Sequence, residues 1–151
     1  MTATNHALTG AIIGLVAGNP LVAVPGAFVS HFVCDALPHY GSAEPAKKVV
    51  KTDGFRNYLL VEAAVCGLLV LVLALTQPAH WWLAAICAFI AASPDFFWIN
   101  KYRVMRAGRT WHPNAFSRFA RDIQWFQRPI GAVVEVAWFI AALIILVPYL
   151  R

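Results

Sequence analysis

Charge is what this sequence has least of. Only 13% of its 151 residues are charged, while 60% are hydrophobic. With a mean hydropathy of +0.65, the chain carries more apolar surface than a soluble domain of its length needs to bury, so an integral membrane protein is expected. Cysteine is scarce too. Cys34, Cys66 and Cys87 stand apart in apolar stretches without CxxC spacing, which reads as small buried hydrophobes and excludes a disulfide framework. No basic segment precedes the first apolar run, and His6 does, so MTATNHALTGAIIGLVAG is not expected to be a cleaved signal peptide. A serine-nucleophile elbow, a phosphate-binding glycine loop and a dinucleotide fingerprint are all missing. Thr9 and Ser30 lie near histidines, but no spacing makes either a nucleophile.

What is present is apolar length. Segments 57–76, 79–100 and 130–150 approach or reach the span of a bilayer. Two shorter stretches, 7–18 and 21–37, are broken by Asn19-Pro20, a strong turn signal. Gly10, Gly14 and Gly18 form a small-xxx-small ridge that permits close helix contact in lipid. The expected fold is therefore all-α: one membrane domain over 1–151, with a helical hairpin at 5–38 packed against three longer helices. Within the polar stretch 101–129, Phe116, Phe119, Ile123 and Phe126 recur at helical spacing among Arg118, Arg121 and Arg128. That pattern predicts an amphipathic interfacial helix near 114–127.

The net charge of +5 is placed unevenly. Of the 12 Lys and Arg, all but Arg151 lie in 40–56 and 101–129. Such loops beside apolar segments fit orientation and anionic lipid better than nucleic acid. Five crossings put both loops on one side, which the positive-inside rule makes cytoplasmic, with the N-terminus inside in the cell membrane.

Depth along the helices then brings polar residues together. At about 1.5 Å per residue, His31 lies roughly 16 Å and Asp35 roughly 22 Å from the turn near residue 20, Asp95 roughly 21 Å along its helix, and His6 roughly 20 Å back from Asn19. Glu62 and Glu135 enter from the other side by about 8 Å. All six fall within one slab of a core about 30 Å thick. Unpaired charge in lipid is expensive, so several carboxylates at one depth call for partners, protons or a cation. Imidazoles with carboxylates suit a divalent metal, and His31 with Asp35 at i, i+4 share one helix face. His39 follows Pro38 and is expected to approach from a turn. Plainer readings stand beside this one: a hydrogen-bonded His31–Asp35 pair, a capping role for Asp95 or His6, and ion pairs of Glu62 or Glu135 with loop arginines. His112, in WHPNAF, is on the same side but in a loop. His80, beside Trp81 and Trp82, fits an aromatic belt.

In NHALTGAIIG, HFVCDALPH and SPDFFW, the chain resembles the small membrane-bound metal-dependent hydrolase family of bacteria and archaea. The His-x3-Asp-x-x-Pro-His run is the most specific mark. The resemblance implies His6, His31, Asp35, His39 and Asp95 as metal ligands and hydrolysis of a phosphoester-like substrate. Members often carry Asp-x-Asp or Asp-His after the proline, where this chain has Asp95-Phe96-Phe97, which counts against a second metal. The functional expectation is a metal-dependent hydrolase acting on a phosphorylated or lipid-linked substrate. Zinc is the first choice of metal, with manganese or magnesium as alternatives, and Glu135 or His112 would be the general base or acid. A non-catalytic metal-binding structural or transport protein and a lipid- or partner-binding scaffold are the alternatives, and a homo-oligomer is left open.

Overall fold

Local chemistry sets the first two helices. The Thr2 hydroxyl accepts from Asn5 N and opens α1 (Ala3–Ala17). The helix stops at Gly18, where φ is 60° and the amide bonds back to Gly14 O, a conformation that glycine adopts without penalty. Asn19 then caps α2 (Pro20–Ala36) through Leu21 N, with Pro20 in the first turn. A two-residue connection between capped ends makes the expected antiparallel hairpin.

The computed structural model covers residues 1–151 and is all-helical. A short α3 (Ala46–Val49) precedes α4 (Asp53–Thr76), which begins four residues earlier than the hydropathy boundary because the Thr52 hydroxyl accepts from Phe55 N. α5 (Trp81–Ala92) passes through a 3-10 turn at Ser93–Phe96 into α6 (Phe97–Arg106). The apolar helix expected over 79–100 thus continues to Arg106, and the polar stretch starts later. The interfacial helix is α7 (Ala115–Asp122), shorter than 114–127. The chain turns after Asp122 so that Gln124 and Trp125 reach back to α2, donating to Asp35 Oδ2 and Ala36 O. Last comes α8 (Gly131–Leu146), followed by a 3-10 turn at Val147–Leu150.

α1 is the central element, touching α5, α2, α8 and α4. Its glycine ridge permits this. A Cβ on Gly10 would fall on the Cys87 carbonyl, and one on Gly14 on the Ala84 backbone. Ala7, Ala11, Leu15, Ala84, Ala88, Ala142 and Leu146 fill the core around that crossing.

The surface is apolar instead. Leu75 is 75% exposed, Ile144 69% and Leu60 63%, a pattern costly in water and neutral in hydrocarbon. Asp53–Thr76, Trp81–Arg106 and Gly131–Leu150 are long and apolar enough to cross a bilayer. This is a membrane protein. Beside Leu73 and Leu83, its best-buried large side chains include His6, His31, His39, Asn5 and Asp35, polar groups that are seldom fully buried.

Candidate metal centre

Three segments converge at one end of the bundle. α1 supplies His6 from its first turn, α2 supplies His31 and Asp35 from its last two turns, and the 3-10 turn after α5 supplies Asp95. His6 Nε2 lies 3.2 Å from Asp35 Oδ1. His31 Nε2 lies 3.4 Å from Asp35 Oδ2 and 3.9 Å from Asp95 Oδ1. The His6 and His31 rings stack with centroids 4.0 Å apart. One ligand atom from each of His6, His31 and Asp95 falls within 4.8 Å of the other two. Phe32 packs edge-on against His31 and is itself held by Phe116 and Phe119, so α7 buttresses the centre from outside.

Tautomers follow from the backbone. His31 Nδ1 sits 2.8 Å from Ala91 O. A carbonyl only accepts, so Nδ1 carries the proton, and in the neutral ring Nε2 is a lone pair facing two carboxylates. Lone pair against carboxylate is repulsive unless a proton or a cation lies between. His39 repeats the arrangement: Nδ1 donates to Leu37 O at 2.8 Å, while Nε2 is buried without a hydrogen-bond partner in the protein. Burial also pushes the His39 imidazole below its ordinary pKa, which keeps it neutral. His6 Nδ1 is likewise buried and unpartnered, its Nε2 being directed at Asp35. Carbonyl-anchored imidazoles with a free nitrogen are the form in which histidine binds a metal.

The remaining predicted residues are placed differently. His39 lies outside the three-residue group. Its backbone pairs with the stretch before α8, where Arg128 N donates to His39 O at 3.0 Å, and Gly131 lies directly against its main chain. Glu62 and Glu135 are not paired with loop arginines. Glu62 Oε2 accepts from Thr4 N and Oγ1 at 2.8 and 2.9 Å, and Glu135 Oε1 accepts from Tyr40 N at 3.2 Å. Both carboxylates therefore clamp the flanks of the centre, Glu62 through α1 and Glu135 through the residue after His39. His112 is exposed and lines a separate surface cavity of about 320 Å³ with Phe96, Phe97, Asn100, Asn114 and Ser117. The structure does not bring it to the buried carboxylates.

Other participants carry no sequence signal. Gln124 Nε2 donates to Asp35 Oδ2 at 2.9 Å, and the Met1 amine donates to Asp35 Oδ1. Asn5 Nδ2 donates to Glu135 O at 3.0 Å, tying α1 to α8. The adjacency of Asn5 to His6 was the one available hint. Comparisons with protein-family models, curated proteins and solved structures find no match to this chain.

Proposed function

We propose that the protein is a membrane-embedded, metal-dependent hydrolase acting on a phosphoester or lipid-linked substrate at the cytoplasmic face. The observation that carries this reading is the His31 ring. Its Nδ1 is committed to Ala91 O, and its Nε2 faces Asp35 and Asp95. His6, His31 and Asp95 would hold a divalent ion, with Asp35 alongside and His39 a further imidazole nearby. Mixed nitrogen and oxygen donors favour zinc, with manganese or magnesium as alternatives. Bound there, the ion would supply Lewis acidity toward a scissile phosphoester oxygen.

The chain's own groups do the rest. Asp35 orients His6 and His31 through its two oxygens. Glu135, fixed by Tyr40 N, is the candidate proton acceptor, and proton transfer by such a group is worth roughly 10²–10⁴ in rate. Arginines of the 101–129 stretch supply charge-assisted bonds to a phosphate. The basic loops make this face cytoplasmic under the positive-inside rule.

The test combines elemental analysis with turnover. Protein purified in detergent should contain a stoichiometric divalent metal and hydrolyse a member of a panel of aryl phosphates and phospholipids. His31→Ala and Asp35→Ala should each abolish both. Metal-free protein, with both variants unchanged in stability and turnover, overturns the proposal.

A further inference from the structure

The loops of the same face hold a second constellation, built from cations alone. A cavity of about 90 Å³ is lined by Lys47, Lys51, Met105, Gly108, Arg109 and Thr110. Lys47 stands on α3, Lys51 just after it, and Arg109 and Thr110 beyond the end of α6. Where one water needs about 10–15 Å³ of such space, the cavity accommodates a small solvated or tetrahedral group. No carboxylate lines it.

Charge pairing sets these residues apart. Lys48 pairs with Glu44 at 3.4 Å, Arg56 with Asp53 at 3.4 Å and Arg121 with Asp122 at 2.8 Å. Lys47, Lys51 and Arg109 have no acidic partner. Their side chains do not cap α6 either, since backbone amides do so. Gly108 N and Arg109 N close the helix end onto Met105 O and Val104 O at 3.0 and 3.1 Å. Gly108, with φ 73°, takes the left-handed turn that carries Arg109 to the cavity, a conformation unfavourable for residues with a Cβ. Three like charges around one small space repel one another, and an anion removes that repulsion.

We propose that this cavity binds a phosphate group, with Lys47, Lys51 and Arg109 neutralising it and the Thr110 hydroxyl donating to it. The chemistry is that of a phosphate mono- or diester, whether on an anionic lipid headgroup or on a soluble phosphate. The proposal is independent of the metal centre and stands if that centre proves empty of metal.

The test uses the full chain in nanodiscs. One arm titrates inorganic phosphate into phosphatidylcholine discs and reads thermal stability. The other adds phosphatidylglycerol or phosphatidic acid and counts retained lipid by native mass spectrometry. Binding in the first arm assigns a soluble ligand, and binding confined to the second assigns a lipid headgroup. Lys51→Gln with Arg109→Gln should weaken whichever ligand binds by about fivefold per cation removed, roughly 25-fold for the pair. Thr110→Val should weaken it without altering its salt dependence. Lys48→Gln with Arg56→Gln removes the same charge from paired positions and should change binding little. Equal losses in both double variants reduce the effect to diffuse surface charge and overturn the proposal, as does no binding in either arm.

Discussion

A metal at the His6–His31–Asp95 centre would tie together three segments that meet only in the folded protein, so its removal is the most direct perturbation. His6 and His31 are buried, with side chains 0% and 1% exposed, and Asp95 reaches them from the turn after α5 at 26% exposure. The unfolded chain has no such site, so binding energy appears as folding energy. At a free ion concentration of 100 times Kd, the gain is about 2.7 kcal/mol. For a chain of this size that raises Tm by roughly 5–11 °C. The assay is chelator-stripped protein in detergent, titrated with zinc, manganese and magnesium in turn and unfolded by heat while tryptophan emission is followed. The discriminating variant is Asp95→Asn, which keeps the shape and removes one carboxylate. If Asp95 is a ligand, the ion-dependent rise shrinks sharply, while the metal-free protein becomes no less stable because one partly buried negative charge is gone. Refutation comes from a shift of the same size in Asp95→Asn and wild type, or from no shift with any of the three ions.

Three further outcomes follow from packing and protonation. Gly10→Leu would drive a side chain into the Cys87 carbonyl, so thermal unfolding should show a loss of at least about 1–3 kcal/mol; Gly67→Ala, where a Cβ meets nothing within 4 Å, should be neutral or gain about 0.5–1 kcal/mol. Gly131→Ala places a Cβ on the His39 main chain and should cost about 1–3 kcal/mol, because the stretch that pairs with His39 has to move. Burial lowers the His39 pKa from its ordinary 6.5, so the unfolded chain takes up that proton first and stability falls as pH drops from about 6.5 through the folded value; without added metal, His39→Gln should lose less stability over that interval than wild type, and equal losses would remove His39 as the cause.

Apolar length was the most legible feature of the sequence, because spanning helices in lipid are set by composition over some twenty residues. The hairpin was legible for a different reason: Gly18, Asn19 and Pro20 each take a specific capping role. Helix ends shifted where a side chain that hydropathy ignores decides them, as Thr52 does for α4. The centre was partly legible, since i, i+4 spacing places His31 beside Asp35, and depth alone brings His6 and Asp95 to the same level. Depth carries no rotational information. His112 shares the correct side yet stays exposed in its own cavity, and Gln124 reaches Asp35 only because the chain turns after α7. The phosphate cavity was hidden for the same reason. Its lysines and arginine were visible as basic loops, but their convergence depends on the left-handed turn at Gly108.

The arrangement of buried acceptors bears on the choice between a structural polar layer and the proposed ligand site. A layer that only staples helices would spend its hydrogen bonds internally, as Glu62 does with Thr4 and as Trp138 does with Thr9. Here Asn5 Oδ1, His6 Nδ1 and His39 Nε2 are buried with no partner in the protein, and His31 Nε2 faces only carboxylates. Each unsatisfied group costs about 1–3 kcal/mol, against a total stability of about 5–15 kcal/mol for a typical domain. Folding alone gives no reason to keep three of them, since apolar replacements of similar shape would be more stable. A bound cation of the kind proposed above would accept such lone pairs, two of which are imidazole nitrogens and one an amide oxygen. The same logic fixes the sign of a trade-off. Variants that remove these acceptors should gain stability in the metal-free state in proportion to what they lose in metal dependence.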